Sequence, residues 1–114
     1  MTKIFDLEER TFSFANKVKL YVKALPKTIT NIEIGKQLFR SAGSVGANYI
    51  EANESLSKKN FVMRVKICRK EAKESRYWLH LSEPQPADDN RKAFLIQEAT
   101  EFTKIFGAIL ERCK

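Results

Sequence analysis

The side chains with the most chemical potential in this chain are Glu71 and Glu74, the lone histidine His80, the cysteines Cys68 and Cys113, and a dense set of cations between residues 58 and 76. Two glutamates three apart share a helix face and could offer carboxylates to a metal. Di-iron helical bundles need Glu-x-x-His on two helices. Here there is a single histidine, and the residue three before it is Tyr77. No metal centre is expected, and His80 reads as a surface residue at a helix end. The cysteines form no C-x-x-C and have no histidine nearby in sequence, so both read as small core residues of a reducing compartment. "GSVG" at Gly43–Gly46 matches the GxxG of KH domains, but that loop serves a mixed sheet fold and no strand pattern is present. Gly35-Lys36 resembles the end of a phosphate-binding loop, yet Thr30 stands where its first glycine is required. These residues contain no catalytic constellation and call for no cofactor, so the sequence reads as non-enzymatic.

The cations are more suggestive. Lys58, Lys59, Arg64, Lys66, Arg69, Lys70, Lys73 and Arg76 face only Glu71 and Glu74 within the same stretch. At helical spacing Lys59, Lys66, Lys70 and Lys73 share one face, and Lys17, Lys19 and Lys23 add positive charge from an earlier segment. Such a face is either simply solvated or a surface that contacts phosphates without reading bases. The net charge of +7 suits a polyanionic partner. The candidate contacts with RNA or DNA are Lys66, Lys70 and Lys73, with Lys59 and Lys17 behind them.

Four helical segments must position these groups. The first spans Asp6 to Leu25, capped by Asp6 with Glu9 and stopped by Pro26; Leu7, Phe14, Val18, Tyr21 and Leu25 form its apolar stripe. The second is expected from Thr30, boxed with Glu33, to Leu56, with Ile34, Leu38, Ala42, Val45, Tyr49, Ala52 and Leu56 inward. The third runs from Lys58 to Leu81 behind the cap Ser57, with Phe61, Val65, Cys68, Ala72, Ser75 and Leu79 inward. "SEPQPADD" breaks the chain, and a fourth helix runs from Asp88 or Asp89 to Cys113 on a stripe of Leu95, Ala99, Phe102, Phe106, Ile109 and Cys113. Short connections between amphipathic helices predict an all-α, antiparallel up-down four-helix bundle, one domain over residues 1–114. No apolar run is long enough to span a bilayer, so no membrane partner is expected. "MTKIFDLEER" has no signal-peptide core, which predicts a cytoplasmic protein.

The second helix carries "RSAGSVGAN" at its centre, where each glycine costs about 1 kcal/mol relative to alanine. Ala42 with Gly46, and Gly43 with Ala47, are spaced to form a shallow groove for a closely packed helix, in the same chain or in another subunit. Ser41, Ser44, Asn48 and Glu51 flank the core stripe. Glu71 and Glu74 sit between large apolar residues and should be partly buried, with Arg40 and Arg76 as partners in a network that fixes helix register.

"LPKT", "LFRSAGSVGANYIEANE" and "KICRKEAKESRYWLHL" together resemble the 23S rRNA intervening-sequence proteins, also called four helix bundle proteins. The resemblance rests on Arg40, Ser41, Ser44, Gly46, Ala47, Asn48 and Glu51, then on Glu71, Glu74, Tyr77, Trp78 and Leu79. It implies a homopentameric ring. The chain is also similar to the accessory variability determinant proteins of diversity-generating retroelements, which implies a nucleic acid or a reverse transcriptase as partner. The expected function is that of a basic, oligomeric bundle that binds RNA or DNA. The alternative is a protein–protein adaptor without nucleic-acid binding.

Overall fold

A computed structural model describes residues 6–114 as four long α-helices and one short 3-10 helix, with no strand among the described residues. The N-terminal reading rests partly on residues 1–5, which lie outside the described residues.

Helix α1 (Leu7–Ala24) starts where Asp6 Oδ1 accepts the amide protons of Glu8 at 3.0 Å and Glu9 at 3.3 Å, and ends as Leu25 turns extended ahead of Pro26. Helix α2 (Ile29–Asn53) is capped two residues earlier than expected. Thr28, and not Thr30, is its cap, and its hydroxyl accepts the Asn31 amide at 3.1 Å. The helix also stops before Leu56, which is fully exposed in the connection and contributes nothing to the core. The stripe failed there because its spacing continued past the last helical turn. Helix α3 (Lys58–Leu81) has the expected bounds, with Ser57 Oγ accepting the Asn60 amide at 3.1 Å. Pro86–Asp88 forms the 3-10 turn, and α4 (Asp89–Arg112) closes the chain.

The helices pack in chain order: α1 on α2, α2 on α3, α3 on α4, with a lighter contact between α1 and α4. One core joins them. Phe14, Val18 and Tyr21 meet Leu38, Ala42 and Val45, then Val65, Cys68, Ala72 and Leu79, then Leu95, Ala99, Phe102 and Phe106. Phe14 and Phe102 meet edge to face at 5.3 Å. Arg10 crosses from α1 to Glu98 on α4, its Nε donating to Oε2 at 2.9 Å, while its guanidinium lies 5.1 Å from the Phe102 ring centre.

The glycines of α2 are settled by close approach. A Cβ on Gly46 would stand 3.0 Å from Thr11 Oγ1 and 3.3 Å from Thr11 Cβ, so α1 of the same chain is the neighbour. Gly35 plays the same part against Val22, at 3.0 Å. Gly43 has nothing within 4 Å of its Cβ position, and Ala47 is exposed. Within the chain the close contact therefore uses Ala42 and Gly46. Gly43 and Ala47 lie one step round the helix, beyond the reach of α1.

Candidate nucleic-acid interface

Helix α3 places Lys66, Lys70, Lys73 and Tyr77 along one face, because these positions advance by four, three and four residues, with Arg69 three residues after Lys66 and four before Lys73 at its side. The face forms one wall of an open groove of about 640 Å³, with Leu110 of α4 on the other side. Arg69 reaches toward α4 over Gly107, and its Nε lies 3.9 Å from where a Cβ on that glycine would stand. Lys66 also lines an adjoining groove with Lys58, Lys59, Val62 and Met63, so the two depressions meet along α3. From Lys59 to Tyr77 this line extends about 27 Å.

Four cations and one carboxylate, Glu74, line the larger groove. Glu74 is already engaged by Arg40 at 3.4 Å from the far side. Lys70 sits 4.0 Å from Glu71 and is itself largely exposed. Lys66, Arg69 and Lys73 make no ion pair among the described residues. The groove thus holds positive charge on Lys66, Arg69 and Lys73 that no ion pair offsets among the described residues. Lys17 is elsewhere: its Nζ stands 4.8 Å from the ring centre of Phe94 in a separate groove between α1 and α4. Its charge is directed to that ring, and it does not extend the α3 line.

Behind the groove lies the polar seam of α2 and α3. Ser41 and Ser75 are buried and share a hydrogen bond of 3.0 Å, and each is also within reach of a carbonyl of its own helix. Arg40 spans Glu71 at 3.9 Å and Glu74 at 3.4 Å. Glu71 is buried, and its Oε1 accepts no hydrogen bond among the described residues, so Arg40 offsets its charge without bonding it directly. Asn48 accepts from Arg64 Nη1 at 2.9 Å and donates to the Ser44 carbonyl. Ser44 bonds back to the Arg40 carbonyl, and Glu51 and Arg76 are exposed. Arg76 makes no ion pair among the described residues, because its place on α3 is outside the α2 contact. The Arg64 partnership with Asn48 carried no signal in sequence, because it depends on how α2 packs on α3.

On the opposite flank, Phe12 of α1 and Phe39 and Ile50 of α2 stand exposed around Gly43, Gly46 and Ala47, which form the floor of a groove of about 360 Å³. Phe12 is 72% exposed, unusual for an aromatic side chain with no polar handle.

The 23S rRNA-intervening sequence protein family model matches residues 5–108. The chain belongs to this family. Its members are what the Arg40-to-Glu51 and Glu71-to-Leu79 patterns resemble. A crystal structure of a protein of unknown function from the S23 ribosomal protein family of Bacteroides thetaiotaomicron superposes with a TM-score of 0.79 at 26% identity, covering 92% of this chain and 98% of that one. No curated protein matches the chain. Among the described residues no helix is long and apolar enough to cross a membrane, and no group of three or more His, Cys, Asp or Glu is placed to hold a metal ion.

Proposed function

We propose that this family member is a basic, oligomeric, antiparallel four-helix bundle that binds the backbone of a nucleic acid through the α3 groove. The observation that carries the reading is the run of Lys66, Arg69 and Lys73, exposed along one groove and left without ion-pair partners among the described residues. Lysines and arginines so placed form phosphate contacts by displacing counterions, and such contacts do not depend on base sequence. The name of the family, which refers to 23S rRNA, agrees with a nucleic acid as partner.

The exposed α1–α2 face supports self-association. Phe12, Phe39 and Ile50 surround a floor of small residues that a second copy could approach closely. The resemblance to ring-forming relatives makes five the proposed number of subunits. In a ring each α3 groove is repeated, and weak phosphate contacts add through multivalency. The same apolar face favours a second reading, an adaptor whose partner is a protein such as a reverse transcriptase.

Replacing Lys66, Lys70 and Lys73 together by Gln tests the first reading. These side chains lie outside the core, so helical circular dichroism should stay unchanged. Fluorescence anisotropy with labelled RNA and DNA should show weaker binding for every sequence alike. Absence of binding to either probe by the unaltered protein at low salt would favour the adaptor.

A further inference from the structure

Tyr77 closes the C-terminal end of the α3 groove. It is 60% exposed and lies one helical step beyond Lys73. It is held in a defined attitude. Its ring meets Trp78 edge to face, with centroids 5.1 Å apart and planes at 78°. Trp78 is itself half-buried against the core and so fixes its neighbour. The groove therefore combines a line of cations with an oriented aromatic face at its end. Leu110 of α4 adds an apolar surface on the other side.

A double helix can use only half of this arrangement. Its phosphates can meet Lys66, Arg69 and Lys73, but its bases are stacked on each other and offer no free face to a tyrosine. A single strand can use both halves, because its phosphates follow the cations while an unstacked base lies on the ring. Aromatic stacking tolerates any base, as every base has a π-face. The line from Lys66 to Tyr77 covers about 16 Å along the helix, room for a short single-stranded segment.

We infer that the α3 groove takes single-stranded nucleic acid in preference to duplex, with Tyr77 as the platform on which one base stacks. This inference rests on the phosphate-binding reading of the same groove and adds the form of the ligand.

The experiment compares labelled single-stranded RNA and DNA oligonucleotides with a duplex of the same length, at fixed low salt. It uses the full chain and its Tyr77→Ala and Tyr77→Phe variants. Tyr77 lies outside the core, and circular dichroism checks that each variant folds. The single strands should bind more tightly than the duplex. Tyr77→Ala should weaken single-strand binding by roughly tenfold or more and leave its salt dependence unchanged, while Tyr77→Phe keeps the affinity. An oligonucleotide of abasic sites should not distinguish Tyr77→Ala from the parent. Trp78 is the chain's single tryptophan, and its emission should change on binding a base-containing strand but not an abasic one. Duplex bound as tightly as single strand, or single-strand affinity indifferent to Tyr77→Ala, overturns the stacking inference and leaves phosphate binding standing. No binding of any probe overturns both.

Discussion

Two glycines three positions apart on α2 have opposite surroundings, and that difference is measurable. Gly46 lies against Thr11, whose hydroxyl is itself held to the Leu7 carbonyl at 2.7 Å and cannot yield freely. Gly46→Leu should cost about 1–3 kcal/mol or more by overpacking, read as a lower denaturation midpoint. Gly43→Ala meets open space and should be neutral or stabilise by up to about 1 kcal/mol through helix propensity. The sequence showed that small residues were needed here. It could not show which of the two rows the neighbour would cover, because that depends on where α1 crosses.

Cys68 gives a second test at the same scale. Burial pushes its thiol up to about 12 from an ordinary 9.0. The unfolded chain loses that proton near the ordinary value while the folded chain keeps it. The stability contributed by the neutral thiol is therefore complete below about pH 9 and is lost as pH rises toward 12. Burial shifts Tyr21 in the same direction. The unfolding midpoint of the parent should fall more steeply over this window than that of Cys68→Ala. In the native protein a thiol reagent should modify the half-buried Cys113 well before Cys68.

Among the elements, the helix interiors and most of their ends were legible, and the ends of α2 were not. The apolar stripes of α1, α3 and α4 follow from periodicity and carry most of their buried residues, but Thr11 and Glu71 are buried off the stripes, and Cys113, expected at the end of the α4 stripe, caps that helix half-buried. The α2 boundaries depended on competing caps: Thr28 and Thr30 both precede a donor, and the chain leaving Pro26 selects Thr28. Asn31 carried no sequence signal at all. Its amide donates to the Pro26 carbonyl at 3.1 Å and the Glu83 carbonyl at 2.9 Å and accepts from the Glu83 amide at 3.0 Å. It thereby ties the α1–α2 turn to the chain that leaves α3, a pairing between segments distant in sequence that no local pattern encodes. Asn31→Ala removes three part-buried bonds and leaves the backbone groups of Pro26 and Glu83 without that partner. It should destabilise by about 1–3 kcal/mol in denaturant unfolding, a large effect for an alanine substitution outside the apolar core.

For the molecule as a whole, the arrangement sets an apolar flank on α1 and α2 apart from a cationic flank on α3. The cations could be listed from sequence, but whether they would be neutralised depended on which carboxylates faced them. Arg40 takes Glu74, a pairing the sequence suggested, while Lys66 and Lys73 make no ion pair among the described residues, which depended on the packing of α2 on α3. If the apolar flank joins subunits, light scattering at micromolar concentration should give a pentamer mass, and Phe12→Glu should shift it toward monomer. A monomer mass for the parent would reject the ring.

The most direct test of the account is the salt dependence of nucleic-acid affinity. Anisotropy titrations of a labelled single strand over a range of salt concentrations should give a logarithmic slope of about −0.7 per phosphate neutralised. The parent protein should show several such contacts, and the protein carrying Lys66→Gln, Lys70→Gln and Lys73→Gln should bind more weakly with a visibly flatter slope. A slope unchanged by removing these three charges would place the phosphates somewhere other than the α3 groove and contradict the account.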